Sequence, residues 1–141
     1  MSIKYDKETL GFLALFEQIS KAKVRDCFVD ENKLLIFIVE QHELAKAIGR
    51  AGSNAKMLEQ IFKRKIRIIE YNQDVRQFIK NIVYPIPVAE IKQHEEDNAV
   101  YIITPQDPKS RGLLIGRAAQ SLRYNESIVQ RYFPIKELKV E

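Results

Sequence analysis

One cysteine, Cys27, is all that this chain has for thiol chemistry, so no internal disulfide can brace it. A lone thiol fits a reducing compartment, and the expected location is cytoplasmic. No apolar run comes near the roughly 20 residues that span a bilayer, and the opening "MSIKYDKETLG" lacks the basic-then-apolar order of a signal peptide. No membrane partner is therefore expected. Histidine occurs only as His42 and His94, with no cysteine pair beside either, so zinc finds no ligand set. No Gly-Lys-Ser/Thr phosphate loop and no nucleophile–base pair is visible. The reading is of a protein that is not an enzyme, with no catalytic residue, no metal and no cofactor.

What is present is charge and repetition. The 141 residues carry a net charge of +4, with 30% charged residues, a mild bias toward an anionic partner. Residues 1–73 hold 13 Lys and Arg against 10 Asp and Glu, and residues 74–141 hold 10 against 9. The first half is thus the stronger electrostatic partner. Its densest basic run, "KRKIR" from Lys63 to Arg67, also suits a solvated helix end. The acidic "EEDN" from Glu95 to Asn98 reads as a solvated hairpin turn.

The segment "DENKLLIFIVEQHELAKAIGRAGSN" from Asp30 aligns without gaps on "DNAVYIITPQDPKSRGLLIGRAAQS" from Asp97. At a constant offset of 67, Leu35 falls on Ile102, Ile48 on Ile115, Gly49 on Gly116, Arg50 on Arg117 and Ala51 on Ala118. The register continues through Ile61 on Ile128. A duplication divides the chain into domains 1–72 and 73–141, with no Gly/Ser-rich linker between them.

Each copy reads α-β-β-α-α-β. In the first, Asp6 caps a helix to about Ser20, then "KVRDCFVD" and "KLLIFIVE" form a hairpin. A short helix in "HELAKAIG", a second in "SNAKMLEQIFK" and a strand in "KIRIIEY" follow. In the second, Val75, Phe78, Ile79 and Ile82 mark an amphipathic helix that the prolines of "YPIP" stop. Strands in "VAEIKQH" and "AVYIIT", a helix from Pro108 to Ile115, another from Gln120 to about Tyr132, and a strand in "IKELKVE" complete it. The first helix is apolar on more than one face, which favours a further packing partner or an interaction surface.

"AIGRAGSNAK" places two glycines three apart at the junction of two short helices. Gly49 supplies positive φ at a helix end, and Gly52 removes a second Cβ, so another backbone can come close. Ser53 opens the next helix, whose first amides lack partners and carry partial positive charge, a setting that suits phosphate. Arg50 projects between the glycines, and Lys56 lies one turn along.

A strand, a short helix, Gly-Arg-Ala-Gly, a helix and a strand resemble the KH domain, a single-strand nucleic-acid module whose loop clamps about four nucleotides. A leading helix and strand make the order that of the type II form. Two in tandem resemble the archaeal NusA-like transcription factors, the best-marked stretch being "AIGRAGSNAKMLEQIFKRKIRIIEY". The resemblance implies an α+β fold of two tandem type II KH-like subdomains, each a three-stranded mixed sheet with helices packed on one face, and a rigid contact between halves. It also implies a monomer that binds single-stranded RNA and acts with RNA polymerase in termination or antitermination. Two other readings stay open: a protein-interaction scaffold and an RNA-binding factor in ribosome assembly.

Carried over by residue, the resemblance assigns RNA binding to Gly49, Arg50, Ala51 and Gly52, flanked by Lys46, Ser53 and Lys56. It assigns a second clamp to Gly116, Arg117, Ala118 and Ala119, flanked by Gln120 and Arg123. Ala119 stands where the pattern has its second glycine. A methyl group there leaves three outcomes for that loop: weaker binding, a shifted geometry, or a purely structural role.

Overall fold

A computed structural model describes residues 7–30 and 32–141. The chain divides into two compact units, Met1–Asn72 and Gln73–Glu141. The first contains α1 (Lys7–Ser20), β1 (Val24–Val29), β2 (Leu35–Val39), α2 (Leu44–Ile48), α3 (Ser53–Phe62) and β3 (Ile66–Glu70). The second contains α4 (Val75–Val83), β4 (Val88–Gln93), β5 (Val100–Pro105), α5 (Pro108–Ile115), α6 (Gln120–Gln130) and β6 (Glu137–Val140). Each unit is thus α-β-β-α-α-β. A single 3-10 turn joins the last two helices of each, over Arg50–Gly52 and Arg117–Ala119. No helix among the described residues is long and apolar enough to cross a membrane.

Each sheet has three strands with the middle strand of the sequence at its centre, in the orders β1-β2-β3 and β4-β5-β6. The hairpin pair is antiparallel, and the last strand joins parallel after the helical crossover. The first hairpin pairs Cys27 with Phe37 and Val29 with Leu35, with a register shift between Val24 and Asp26. β2 shows why "LLIFIV" lacks polar alternation: all of its residues are buried. Leu35, Phe37 and Val39 share one face by the period of two, and Ile36 and Ile38 share the other.

The helix side of the first sheet carries the core. Phe16 of α1, Ala47 of α2 and Leu58 of α3 are buried against Cys27, Leu35, Phe37 and Val39, with Phe12, Phe62, Ile66 and Ile68 packed around them. Phe37 is the hub. Its ring stacks on Phe16 at 4.1 Å and on Phe62 at 5.8 Å, and Phe62 meets Phe12 edge-on at 5.1 Å. One strand residue therefore bridges α3, which follows the loop, and α1, which precedes the sheet. In the second unit Phe78 of α4 meets Tyr132 at 5.6 Å and Phe133 at 5.5 Å, in the turn that follows α6.

The local signals account for most boundaries. Ser20 closes α1 by donating its hydroxyl to the Phe16 carbonyl at 2.8 Å while accepting from the Ala22 amide at 3.1 Å. Asp74 caps α4 by accepting from the Arg76 amide at 3.0 Å. The expected Asp6 cap lies outside the described residues. α6 ends at Gln130, short of the expected Tyr132. Tyr132 and Phe133 both donate to the Val129 carbonyl in a turn, and Phe133 precedes Pro134, which disfavours helix. The offset of 67 also lapses here: residues 63–65 connect α3 to β3, whereas residues 131–136 connect α6 to β6.

Because Phe37 touches aromatic rings from two helices, Phe37→Ala should destabilise the first unit by about 3–5 kcal/mol. Chemical denaturation followed by circular dichroism measures this, and a loss below about 1 kcal/mol would show that the hub is not where the unit is held.

Candidate nucleic-acid interface

The two loops have the same backbone. Gly49 has φ 79° and ψ 172°, and Gly116 has φ 73° and ψ 178°. Ala51 and Ala118 are left-handed at φ 54° and 52°, followed by Gly52 at φ 75° and Ala119 at φ 60°. The second loop therefore follows the backbone path of the first despite Ala119. The alanine takes the glycine's conformation at a cost of about 1 kcal/mol in left-handed strain.

The two glycine positions of the first loop serve different needs. A Cβ on Gly49 would lie 2.8 Å from the Asn54 side chain and 2.9 Å from its backbone nitrogen. Asn54 in turn donates from Nδ2 to the Lys46 carbonyl at 3.0 Å, tying the end of α2 to the start of α3. Ser121 occupies the equivalent place and would collide with a Cβ on Gly116. Asn54 and Ser121 are functional supports that the sequence reading passed over, although both are small polar residues at the same offset. Around Gly52 the space is open, the nearest atom to a Cβ there being Lys56 Cε at 3.9 Å.

The corner is not walled off. Arg50, Ala51, Ser53 and Lys56 are exposed, as are Arg117, Ala118 and Gln120. The Gly49 amide donates to Ala45, the Gly52 amide to Gly49 and the Ser53 amide to Arg50. A turn whose first bond comes from Gly52 leaves the Arg50 and Ala51 amides with no acceptor inside it. The second loop repeats this, with Ala119 donating to Gly116 and Gln120 to Arg117.

The flanking cations are not equivalent. Arg50, Lys56 and Arg117 have no ion pair among the described residues. Lys46 is exposed, with its ammonium 3.5 Å from Glu43. Arg123 is paired with both Glu126 and Glu137. The structure therefore brings Lys46, Ser53 and Lys56 around the first loop. Around the second it leaves Arg117 with a free charge, and holds Arg123 in a carboxylate pair.

Two carboxylates fix the helices that lead into the loops. Glu43 accepts from the Lys23 amide at 3.0 Å, which holds its carboxyl below the ordinary value, with Lys46 adding to the effect. Asp107 caps α5 by accepting from the Ser110 amide at 2.7 Å, and the Ser110 amide and hydroxyl lower its carboxyl likewise. In the "EEDN" turn, Asp97 is held by the Ala99 amide and by Lys136 at 3.1 Å.

Two successive three-stranded units, each with a glycine-led, left-handed turn between short helices, define a tandem KH-type protein. Known proteins agree. The family model for the NusA-like second KH domain matches residues 14–74, from within α1 past the end of β3. A Methanococcus vannielii protein named probable transcription termination protein NusA is 32% identical over 140 residues, covering 99% of this chain and 80% of the relative. A Methanocaldococcus jannaschii protein of the same name is 30% identical, covering 98% and 75%. The crystal structure of APE1850 superposes with a TM-score of 0.78 at 25% identity, covering 97% of this chain. The chain belongs to the archaeal NusA family.

The glycine geometry separates two substitutions of the same chemistry. Gly49→Ala, in a backbone region open essentially to glycine alone and with Asn54 in the way, should cost about 3 kcal/mol or more. Gly52→Ala should cost only about 1 kcal/mol, and Ala119→Gly should stabilise by up to about 1 kcal/mol. Denaturant titrations of the three variants check the order. For acid, the lowered Glu43 and Asp107 carboxyls mean that the unfolded chain binds protons first. Their contribution to stability is present above the ordinary carboxylate value and is lost as pH falls through the depressed native values. Asp107→Asn keeps a capping oxygen but removes the charge, so its acid-unfolding curve should be flatter than that of the native chain.

Proposed function

We propose that this chain binds single-stranded RNA through the Gly49–Gly52 loop, with the Gly116–Ala119 loop as a second, weaker contact, and that it acts in transcription termination or antitermination with RNA polymerase. The observation that carries the reading is the exposed Arg50–Ala51 corner. Its amides have no acceptor inside the turn, and Arg50 and Lys56 stand beside it without ion pairs among the described residues. A sugar-phosphate backbone can lie against such a corner, with phosphate oxygens on amides and cations nearby, while unstacked bases reach the groove beside it. The names of the relatives support the transcriptional role.

A second reading, a scaffold for a protein partner, draws on apolar side chains left outside the core of the first unit. Leu10 of α1 is 51% exposed, and Met57 and Ile61 of α3 are 48% and 46% exposed. A ribosome-assembly factor would use the same loop on a different RNA.

Salt-titrated binding to single-stranded RNA pools separates these readings. Arg50→Asp/Ala51→Asp places two negative charges at the corner, and Asp tolerates the left-handed conformation of residue 51. Its affinity should fall by roughly tenfold or more, with a shallower salt dependence, and its fold should be unchanged. Arg117→Asp/Ala118→Asp should lose less. Native affinity in the first variant would remove the RNA reading in favour of the scaffold, and a paused-polymerase assay on the same variants distinguishes transcription from ribosome assembly.

A further inference from the structure

Arg123 holds in the second unit the position that Lys56 holds in the first, by the offset of 67 that relates the loops. Glu59 and Glu126 are related by the same offset and do the same work. Glu59 accepts from the Ile66 amide at 3.1 Å, and Glu126 accepts from the Leu138 amide at 2.8 Å, each pinning its helix to the last strand. The units part company at the residue before the held amide, which is Lys65 in the first unit and Glu137 in the second.

That difference changes the electrostatics beside the second loop. Arg123 Nη1 is paired with Glu126, and Nη2 lies 3.5 Å from Glu137. Lys56 has no ion pair among the described residues. Long helical side chains lean by default toward the helix N-terminus, which at Arg123 means toward the Gly116–Ala119 loop. Glu126 lies one turn the other way, and Glu137 adjoins Leu138, whose amide Glu126 holds. Both carboxylates therefore draw the guanidinium away from the loop and compensate its charge.

We propose that Glu137 sets the strength of the second loop by withholding Arg123 from an RNA phosphate, a contact that Lys56 is free to make in the first unit. The proposal rests on the RNA-binding reading above. Glu126 is the structural member of the pair, because the first unit keeps its equivalent. Glu137 is the added restraint: without it Arg123 keeps only its pair with Glu126, and a half-exposed pair of this kind is weak enough to exchange for a phosphate.

The test is a salt titration of binding to a single-stranded RNA pool by the native chain, Glu137→Gln, Arg123→Gln and the double variant, with Arg50→Asp/Ala51→Asp alongside. Release of Arg123 adds one phosphate contact. Glu137→Gln should therefore bind up to about fivefold tighter at 0.1 M salt and steepen the slope of log Kobs against log salt by about 0.7. The gain should vanish in Glu137→Gln/Arg123→Gln. Glu137→Ala, which removes the carboxylate without putting an amide in its place, should reproduce the gain and guards against an effect peculiar to glutamine. Native affinity and slope in both Glu137 variants, with the Arg50/Ala51 variant still impaired, overturn the role of Glu137 and leave the RNA reading standing. A gain that survives loss of Arg123 overturns it too, since it then reflects only a missing negative charge. No loss in the Arg50/Ala51 variant sinks the underlying reading instead.

Discussion

A chain that must turn between two helices within four residues has few backbone solutions, and this protein uses one of them twice. Gly49 and Gly116 take a conformation that side chains other than hydrogen rarely enter, because the first residues of the next helix lie directly beneath. Asn54 and Ser121 fill that space. Their presence forces the glycine, and the glycine lets the following turn swing outward with its amides forward. The exposed Arg-Ala corner is the consequence of that packing. In the first unit Phe37 ties α3, which follows the corner, to the sheet and to α1.

The two loops illustrate how far duplicated elements can diverge while keeping one backbone. The first places one non-glycine residue, Ala51, in the left-handed region, and the second places two, Ala118 and Ala119. At roughly 1–2 kcal/mol per residue, the second loop holds the more strained turn. It is retained because the surrounding contacts, Asp107 on Ser110 and Glu126 on Leu138, determine the path of the helices on either side. Electrostatics diverge further than geometry. Among the described residues the first loop keeps Arg50 and Lys56 without ion pairs, whereas the second keeps Arg117 so and surrenders Arg123 to carboxylates. A common scaffold thus presents one backbone corner with two different charge settings.

Within the archaeal NusA family, the model of one KH domain falls on residues 14–74. The relatives extend over nearly the whole chain, so the second unit belongs to the same inheritance despite its alanine.

Read in one dimension, the chain discloses its repeat, the order of its elements, the proline stops and both loops. Each of these depends on neighbours within a few residues: hydrophobic period, capping side chains and permitted φ values act locally. Even the burial of "LLIFIV" is legible as an unbroken apolar run. The fate of individual side chains is not legible in this way. Whether Arg123 is free depends on a segment further along the chain. Glu137 reaches Arg123 only because β6 returns beside α6, and the Asn54 side chain meets Gly49 only because the turn sets the start of α3 against the end of α2. Local sequence determined where the corners would be. The tertiary structure decided how each is charged and supported, because ion pairs and steric contacts act through space rather than along the chain.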